Sequence, residues 1–361
     1  MYRFELARFP KAETQRQLLR EQVGQDVAHL LACLQEAQTP ASLRSLPQVQ
    51  LLRQVFAQHY EQQGESVRWR DGPAVTNEQR IVSPYDAEAP SHRKRDTVWL
   101  GFKVHLTETC DQDPGCPHLI THVETTVATL QDSEVLAPIQ QHLRAKDLAP
   151  AEQYVDQAYL SGPELVRQAG LGTQLIGPVG QDTSWQQRQQ SGYALDDFTL
   201  DWQKQVATCP QGKRSVGWTQ PPGRGPHPTV VIRFAAVTCR RCAVRAQCTR
   251  GQEGRTLTLT LPQVHAALRQ RRAEQTSPAF VQQYGRRAGV EGTISQAVRT
   301  TRLRRTPYYG LLKTHLHHVA MAAGLNLKRI VSHLHAQSLD QPTRPARPKS
   351  PLARLQDQEV A

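Results

Sequence analysis

The sequence predicts an α/β protein with flanking helices and a β-rich, cysteine-containing insertion, and three observations carry that prediction. Apolar residues recur at three- and four-residue spacing over 12–60, and helical patterning returns over 263–336. Between these stretches, 98–109 and 119–129 alternate apolar and polar residues and are rich in aromatic and β-branched types, as half-buried strands are. Residues 180–262 hold few helix signals, and four of the seven cysteines crowd into them.

Each element follows in chain order. Leu18, Leu19, Val23, Val27, Leu30, Leu31 and Leu34 share one helical stripe, and after the Thr39-Pro40 break Leu46 to Tyr60 repeats it, so two amphipathic helices are expected. Residues 61–96 are polar and interrupted by Gly64, Gly72, Pro73, Pro84 and Pro90, which reads as a loop. The turn-rich Cys110 to Pro117 joins the two alternating segments, so they should form an antiparallel hairpin. A helical period follows over Asp132 to Leu143, then a short apolar strand in QYVDQAY that ends on Asp156. One sheet is expected to hold 98–109, 119–129 and 153–157. The domains expected are a helical segment and linker over 1–96, a first core part over 97–179, a module over 180–262, a helical remainder over 263–336 and a disordered tail over 337–361.

Composition limits the function. The 361 residues carry 44 Lys+Arg against 32 Asp+Glu, a formal charge of +12, and are 38% hydrophobic. A mean hydropathy of −0.56 and the lack of any apolar run near the ~18 residues of a membrane span argue against insertion in a membrane. The first residues show no apolar stretch of a secretory signal, so a cytoplasmic location is expected. The basic balance suggests a polyanionic partner, because clustered Lys and Arg release counterions from a phosphate backbone.

Without an export signal, an odd number of cysteines favours reduced thiols over a disulfide framework. Cys209 in a Cys-Pro-x-Gly turn, Cys239 and Cys242 in a Cys-x2-Cys turn, and Cys248 could share one tetrahedral Zn²⁺. An iron–sulfur cluster and unligated thiols are the alternatives. Cys110 and Cys116 read as hairpin-loop cysteines. Asp156 at a strand end and Arg287 one helical turn before Glu291 could each be a solvated surface feature. The run Arg299, Arg302, Arg304, Arg305 and Lys313 is either a solvated helical face or a phosphate-contacting one. His315, His317 and His318 continue a helix rather than form a metal cluster.

Taken together, QYVDQAY followed far downstream by Tyr284-x2-Arg287-x3-Glu291 resembles the second and third acidic blocks of DDE transposases of the bacterial insertion-sequence type. SPYDAEAPSHRKRDTVWLGFKVHLTETC, LITHVETTVATLQD, CRRCAVRAQCTR and VEGTISQAVRTTRLRRTPYYGLLKTHLHHVAMAAGLNLKRI resemble successive blocks of a subgroup with a cysteine-containing insertion, over roughly residues 80–335. The resemblance implies a ribonuclease-H-like core that cuts and joins DNA at element ends, with Mg²⁺ or Mn²⁺ held by carboxylates. It makes Asp156 the second acid and Glu291 the third, with Tyr284 and Arg287 orienting an acid or contacting phosphate. It also implies terminal-repeat and target DNA as partners, and a homo-oligomer in the active complex.

The first acid departs from the family pattern. No Asp-[Gly/Ser]-Thr strand precedes Trp99, which leaves Asp86 in SPYDAEA as a weak stand-in, and the chain looks like an N-terminally truncated copy. The expected function is therefore metal-dependent strand cleavage and transfer, or, if the copy is inactive, a DNA-binding or dimerising relict.

Overall fold

The computed structural model describes residues 10–338 except 65, 73, 77, 78, 95, 112, 114, 190 and 223–226, with the side chain of 94 also outside the description. The tail expected over 337–361 thus lies outside the described residues, apart from 337 and 338. The chain begins with α1 (Glu13–Cys33), α2 (Ala41–Arg44), α3 (Pro47–His59), β1 (Tyr60–Gln63), β2 (Ser66–Trp69), β3 (Ser91–Lys94), β4 (Thr97–Leu100), β5 (Phe102–Glu108) and β6 (Ile120–Val127). Next come α4 (Asp132–Ala145), β7 (Glu152–Tyr154), α5 (Gly162–Gly170), β8 (Gln174–Ile176), α6 (Trp185–Gln189), β9 (Thr199–Asp201), β10 (Val206–Thr208), β11 (Gly217–Thr219) and β12 (Thr229–Arg233). It continues through α7 (Ala236–Arg240), α8 (Arg245–Cys248), β13 (Thr256–Thr260), α9 (Pro262–Glu274), α10 (Pro278–Tyr284), α11 (Ala288–Thr300) and α12 (Leu311–Ser338). It forms two compact units, 1–130 with 293–361, and 131–292.

The protein is α/β, built on small sheets. Five sheets are two-stranded and one has three strands, among the described residues. The three segments expected in one sheet are strands, but they separate: β4 pairs with β3, β5 with β6, and β7 with β8. The break falls at Gly101, whose φ of 132° ends the first alternating run after Leu100. Alternation reports which face a residue lies on and says nothing of the neighbouring strand, so it could not show this division. The expected loop at 61–96 is likewise partly strand: β1 and β2 form a hairpin in register Tyr60↔Trp69 to Gln63↔Ser66, with Gly64 at φ 64° in its turn.

In the first unit, the expected N-terminal helices form, but Leu18 and Leu30 of α1 stay exposed. What α1 does bury is Gly24, against Tyr60: a Cβ there would stand 2.5 Å from the ring, and the Tyr60 hydroxyl donates to the Arg20 carbonyl at 3.0 Å. The β5–β6 hairpin pairs from Phe102↔Val127 to Glu108↔Ile120. Its Ile120 and Val123 are buried with Ala297 of α11 and Ala322 and Leu325 of α12. Asn326 fixes the helix to the strand, accepting from the Ile120 N–H and donating to its carbonyl, both at 2.8 Å. Arg329, a turn further on, pairs with Glu108 at 3.1 Å, and Thr293 donates to the same carboxylate.

In the second unit, α4 forms for reasons visible in its sequence. Val135, Leu136, Ile139 and Leu143 put one apolar stripe inside, Asp132 and Glu134 occupy the positive end of the helix, and His142 and Arg144 the negative end. Leu136 packs with Val155, Leu165, Leu175 and Val179 around the parallel pair β7–β8. A separate core of Phe198, Ala207, Val230, Ile232, Phe234, Leu257 and Leu259 fills the β-rich stretch.

Gly177, directly after β8, lets the two strands approach. A Cβ there would stand 2.3 Å from the Val155 carbonyl oxygen, a backbone atom that cannot step aside without moving Asp156 next to it. Gly177→Ala should therefore cost about 1–3 kcal/mol from overpacking, which outweighs the ~0.4–1 kcal/mol that reduced unfolded-state freedom would contribute. Urea unfolding followed by the tryptophan fluorescence of this unit (Trp185, Trp202, Trp218) reads the change; an unaltered or raised midpoint would disprove the close approach.

Candidate active site

Asp156 stands where the chain leaves β7. Val155 still donates to the Ile176 carbonyl at 2.9 Å, and Asp156, extended at φ −70° and ψ 157°, then opens a tight turn over Gln157–Tyr159. Its carboxylate accepts from the Gln157 N–H at 2.6 Å and its side chain is 53% exposed. The strand thus presents the acid at its end, as the sequence pattern predicts.

Glu291 arrives from the other direction. A tight turn at Gly285–Arg287 follows α10 and leads into α11, and Glu291 lies in the first turn of that helix, where the helix dipole favours a negative charge. Arg287 joins the two acids: its Nη1 lies 2.9 Å from Glu291 Oε1 and its Nη2 3.6 Å from Asp156 Oδ2. One guanidinium therefore serves two carboxylates far apart in sequence. The neighbouring Arg286 holds the same turn to β7, its Nη1 3.2 Å from the Tyr154 hydroxyl and 4.0 Å from Glu152. Arg287, expected to orient an acid or contact phosphate, lies within ion-pairing distance of both carboxylates.

Two tyrosines border the pair. Burial raises the Tyr284 phenol, Asp156 and Glu291 add to the rise, and Arg287 opposes it. Tyr159 is pushed up further, first by burial and then by Asp132 and Asp156, against Arg287. Both phenols are thereby kept protonated, as hydroxyl donors. Sequence reasoning assigned no role to Tyr159 or Asp132. Tyr159 lies inside the QYVDQAY motif, three residues after Asp156, and that spacing was the available signal; Asp132 read only as the start of a helix.

Asp86 lies in the other unit, and its surroundings there are structural. Its carboxylate accepts from the Gly310 N–H at 3.1 Å while Glu88 accepts from Leu311 at 2.8 Å, so the two acids satisfy donors at the start of α12. In that unit Arg299, Arg302, Arg304, Arg305 and Lys313 are all exposed, and the Tyr308 and Tyr309 rings beside them are 47% and 63% exposed. His318, by contrast, is buried, and its ring bonds Thr125 at 2.8 Å; burial first, then His317 and His315, lower its pKa to about 4. It is neutral at pH 7 and belongs to the packing of α12, as the helical spacing implies.

The four clustered cysteines border a common space. Cys209, Cys239, Cys242 and Cys248 line one cavity in the β-rich stretch, all as free, half-buried thiols. Burial raises the Cys248 thiol, the facing Arg255 opposes this, and Cys239, Cys209 and Cys242 reinforce it. Cys116 is exposed in the β5–β6 connection, and Cys110 half-buried, where loop cysteines were expected.

Neither a curated protein nor a solved structure matches the chain. A family model described as a transposase DDE domain matches residues 208–331, a stretch that contains the four clustered cysteines, Tyr284, Arg287, Glu291 and the exposed basic run, while Asp86 and Asp156 precede it. Over that stretch the chain is similar to the transposase DDE domain.

Proposed function

We propose that the protein catalyses divalent-metal-dependent DNA strand cleavage and transfer, as an insertion-sequence transposase of the subgroup with a cysteine-containing insertion. The observation that carries this reading is the bridge of Asp156 and Glu291 through Arg287, in a chain whose matched stretch ends well beyond Glu291. The proposed architecture is a ribonuclease-H-like core over 97–179 and 263–336, interrupted by the module at 180–262, with 1–96 ahead of it and 337–361 as a tail. The proposed partners are element-end and target DNA, with a homo-oligomer as the active form and the cytoplasm as its location. No described helix is long and apolar enough to cross a membrane.

The donor set fits Mg²⁺ or Mn²⁺. Both carboxylates are more than half exposed and offer the hard oxygen ligands these ions prefer. Such an ion, held by Asp156 and Glu291, supplies Lewis acidity toward a phosphoryl oxygen and eases deprotonation of the attacking water or 3′-hydroxyl. Arg287 orients the two acids, and its charge is also suited to a phosphate oxygen arriving between them. Tyr159 and Tyr284, held protonated, can donate hydrogen bonds to the same phosphate. The exposed Arg299–Lys313 run would hold the DNA backbone without reading sequence, and Tyr308 and Tyr309 offer faces for unstacked bases.

A second reading, DNA binding without cleavage, is favoured by one observation: Asp86, the stand-in for the first acid, is taken up by the start of α12. Supercoiled plasmid carrying the element ends, incubated with the full chain in Mg²⁺, Mn²⁺ or chelator, separates the two. Nicking in either metal and none in chelator supports the enzyme; binding without nicking supports the relict. In both cases binding should weaken steeply with salt, and Arg302→Gln with Arg305→Gln should lower the slope of log K against log salt by about 2. An unchanged slope would remove the basic run from the interface.

A further inference from the structure

The cysteine cavity has a chemistry of its own. Cys209 follows β10 in a turn closed by the Gly212 N–H on the Cys209 carbonyl at 2.8 Å and by the Cys209 N–H on the Lys213 carbonyl at 2.9 Å. Gly212 stands at φ 73°, so the turn requires a residue tolerant of the left-handed region. Cys239 lies near the end of α7, Cys242 follows with its N–H on the Cys239 carbonyl at 3.2 Å, and Cys248 ends α8. The two segments are separated by some thirty residues of chain that include β11 and β12, yet all four cysteines line one cavity.

Three features of that space distinguish it from a patch of hydrophobic core. Among the described residues that line it, the side chains able to ligate a transition metal are the four thiols, with no His, Asp or Glu. Lys213, Arg214, Arg245 and Arg255 line it as well, an assembly of positive charge unsuited to four neutral thiols and suited to thiolates. The Nε atoms of Arg245 and Arg255 are buried and find no acceptor among the described residues, although their outer nitrogens reach the carbonyls of Gly251 and Cys248 at 3.0 Å. A buried N–H without an acceptor costs about 1–3 kcal/mol, so donors at this cavity call for an anion.

We propose that Cys209, Cys239, Cys242 and Cys248 bind one Zn²⁺ as a closed tetrathiolate site. Binding replaces four S–H protons, released to solvent, by four Zn–S bonds, and leaves a site of net charge −2 that the surrounding arginines and lysine offset. With all four positions taken by sulfur and no place left for water, the ion is structural: it fastens the turn after β10 to the α7–α8 segment. The site is independent of the Asp156–Glu291 pair and holds whether or not the chain cuts DNA.

The full chain purified under reducing conditions should contain about one zinc per chain by elemental analysis. Cys209→Ser and Cys242→Ser should each lose most of it, while Cys110→Ser should keep it. The wild-type chain, stripped with a chelator and titrated with Co²⁺, should develop a thiolate-to-cobalt charge-transfer band and tetrahedral d–d absorption that saturate at about one equivalent. That measurement needs no variant, so it stands even if a serine substitution prevents folding. A stripped chain that gains no such band overturns the site, and so does one in which Cys110→Ser removes the metal or in which iron and sulfide accompany the protein in place of zinc.

Discussion

Asp156→Asn and Glu291→Gln should each lower Mg²⁺-dependent nicking by at least about 10³-fold, the scale on which removal of a preorganised electrostatic group acts. Both substitutions keep shape and remove charge, so the fold should survive. The Asn side chain can still accept from the Gln157 N–H, and Arg287 retains one of its two carboxylates in either variant. The comparison that decides the assignment is cleavage against DNA binding at one salt concentration. Binding within about twofold of wild type with cleavage gone places both residues at the reaction; cleavage that persists in either variant removes that residue from it. Arg287→Gln gives a third point. It leaves both acids beside one another without their shared cation, so metal-free protein should lose the Asp156–Glu291 arrangement, and nicking should fall with an increased metal requirement. Asp86→Asn is the contrast: the loss should be in the stability of α12, and a loss of nicking equal to that of Asp156→Asn would make Asp86 a ligand after all.

Arg329→Met should destabilise the first unit by about 3–5 kcal/mol. Glu108 is 6% exposed and Arg329 17%, and the guanidinium also reaches the His118 carbonyl at 3.0 Å and Thr293. Removing the arginine strands a buried carboxylate that keeps, among the described residues, the Thr293 hydroxyl as its donor, and that uncompensated charge is what costs most. The pairs around Arg287 are far more exposed and should contribute under about 1 kcal/mol each to stability. Adding Glu108→Gln to Arg329→Met should recover most of the loss, because the stranded charge is gone. Urea unfolding followed by helical circular dichroism measures all three. A single variant within 1 kcal/mol of wild type, or a double variant no better than Arg329→Met, would show that the pair is not as buried as its geometry indicates.

The parts of this molecule legible in sequence are those set by local chemistry. The stripe of α4, the alternation of β5 and β6, the strand-end position of Asp156 and the one-turn spacing of Arg287 and Glu291 all follow from period and spacing. Partner choice is another matter. β3 lies in a stretch read as loop, β4 pairs with it from Ser91↔Leu100 to Lys94↔Thr97, and Gly101 parts β4 from β5, a division that no periodicity contains. The surroundings of Asp86 were hidden for the same reason: a carboxylate that accepts from an N–H 224 residues away cannot be told by sequence from one that waits in a cleft. The four cysteines were picked out by their turns and line one cavity, whereas the arginines around them were not picked out, since Arg245 and Arg255 sit among many other basic residues.

The first unit is assembled from both ends of the chain, and this orders events on the ribosome. The β5–β6 hairpin emerges early, but Ile120 and Val123 are covered only by residues of α11 and α12, beyond residue 293. At ordinary synthesis rates of ~5–20 residues per second, roughly 10–40 s separate the hairpin from the end of α12. Throughout that interval an apolar strand face and the buried Glu108 position have no cover, while the second unit, continuous in sequence, can fold as it appears. The entropic cost of closing so long an excursion grows only logarithmically with its length and is modest. Delay is the larger burden: a ribosome stalled within the second unit leaves a nascent chain with a sticky hairpin, the kind of exposed apolar surface that chaperones shield and that otherwise aggregates.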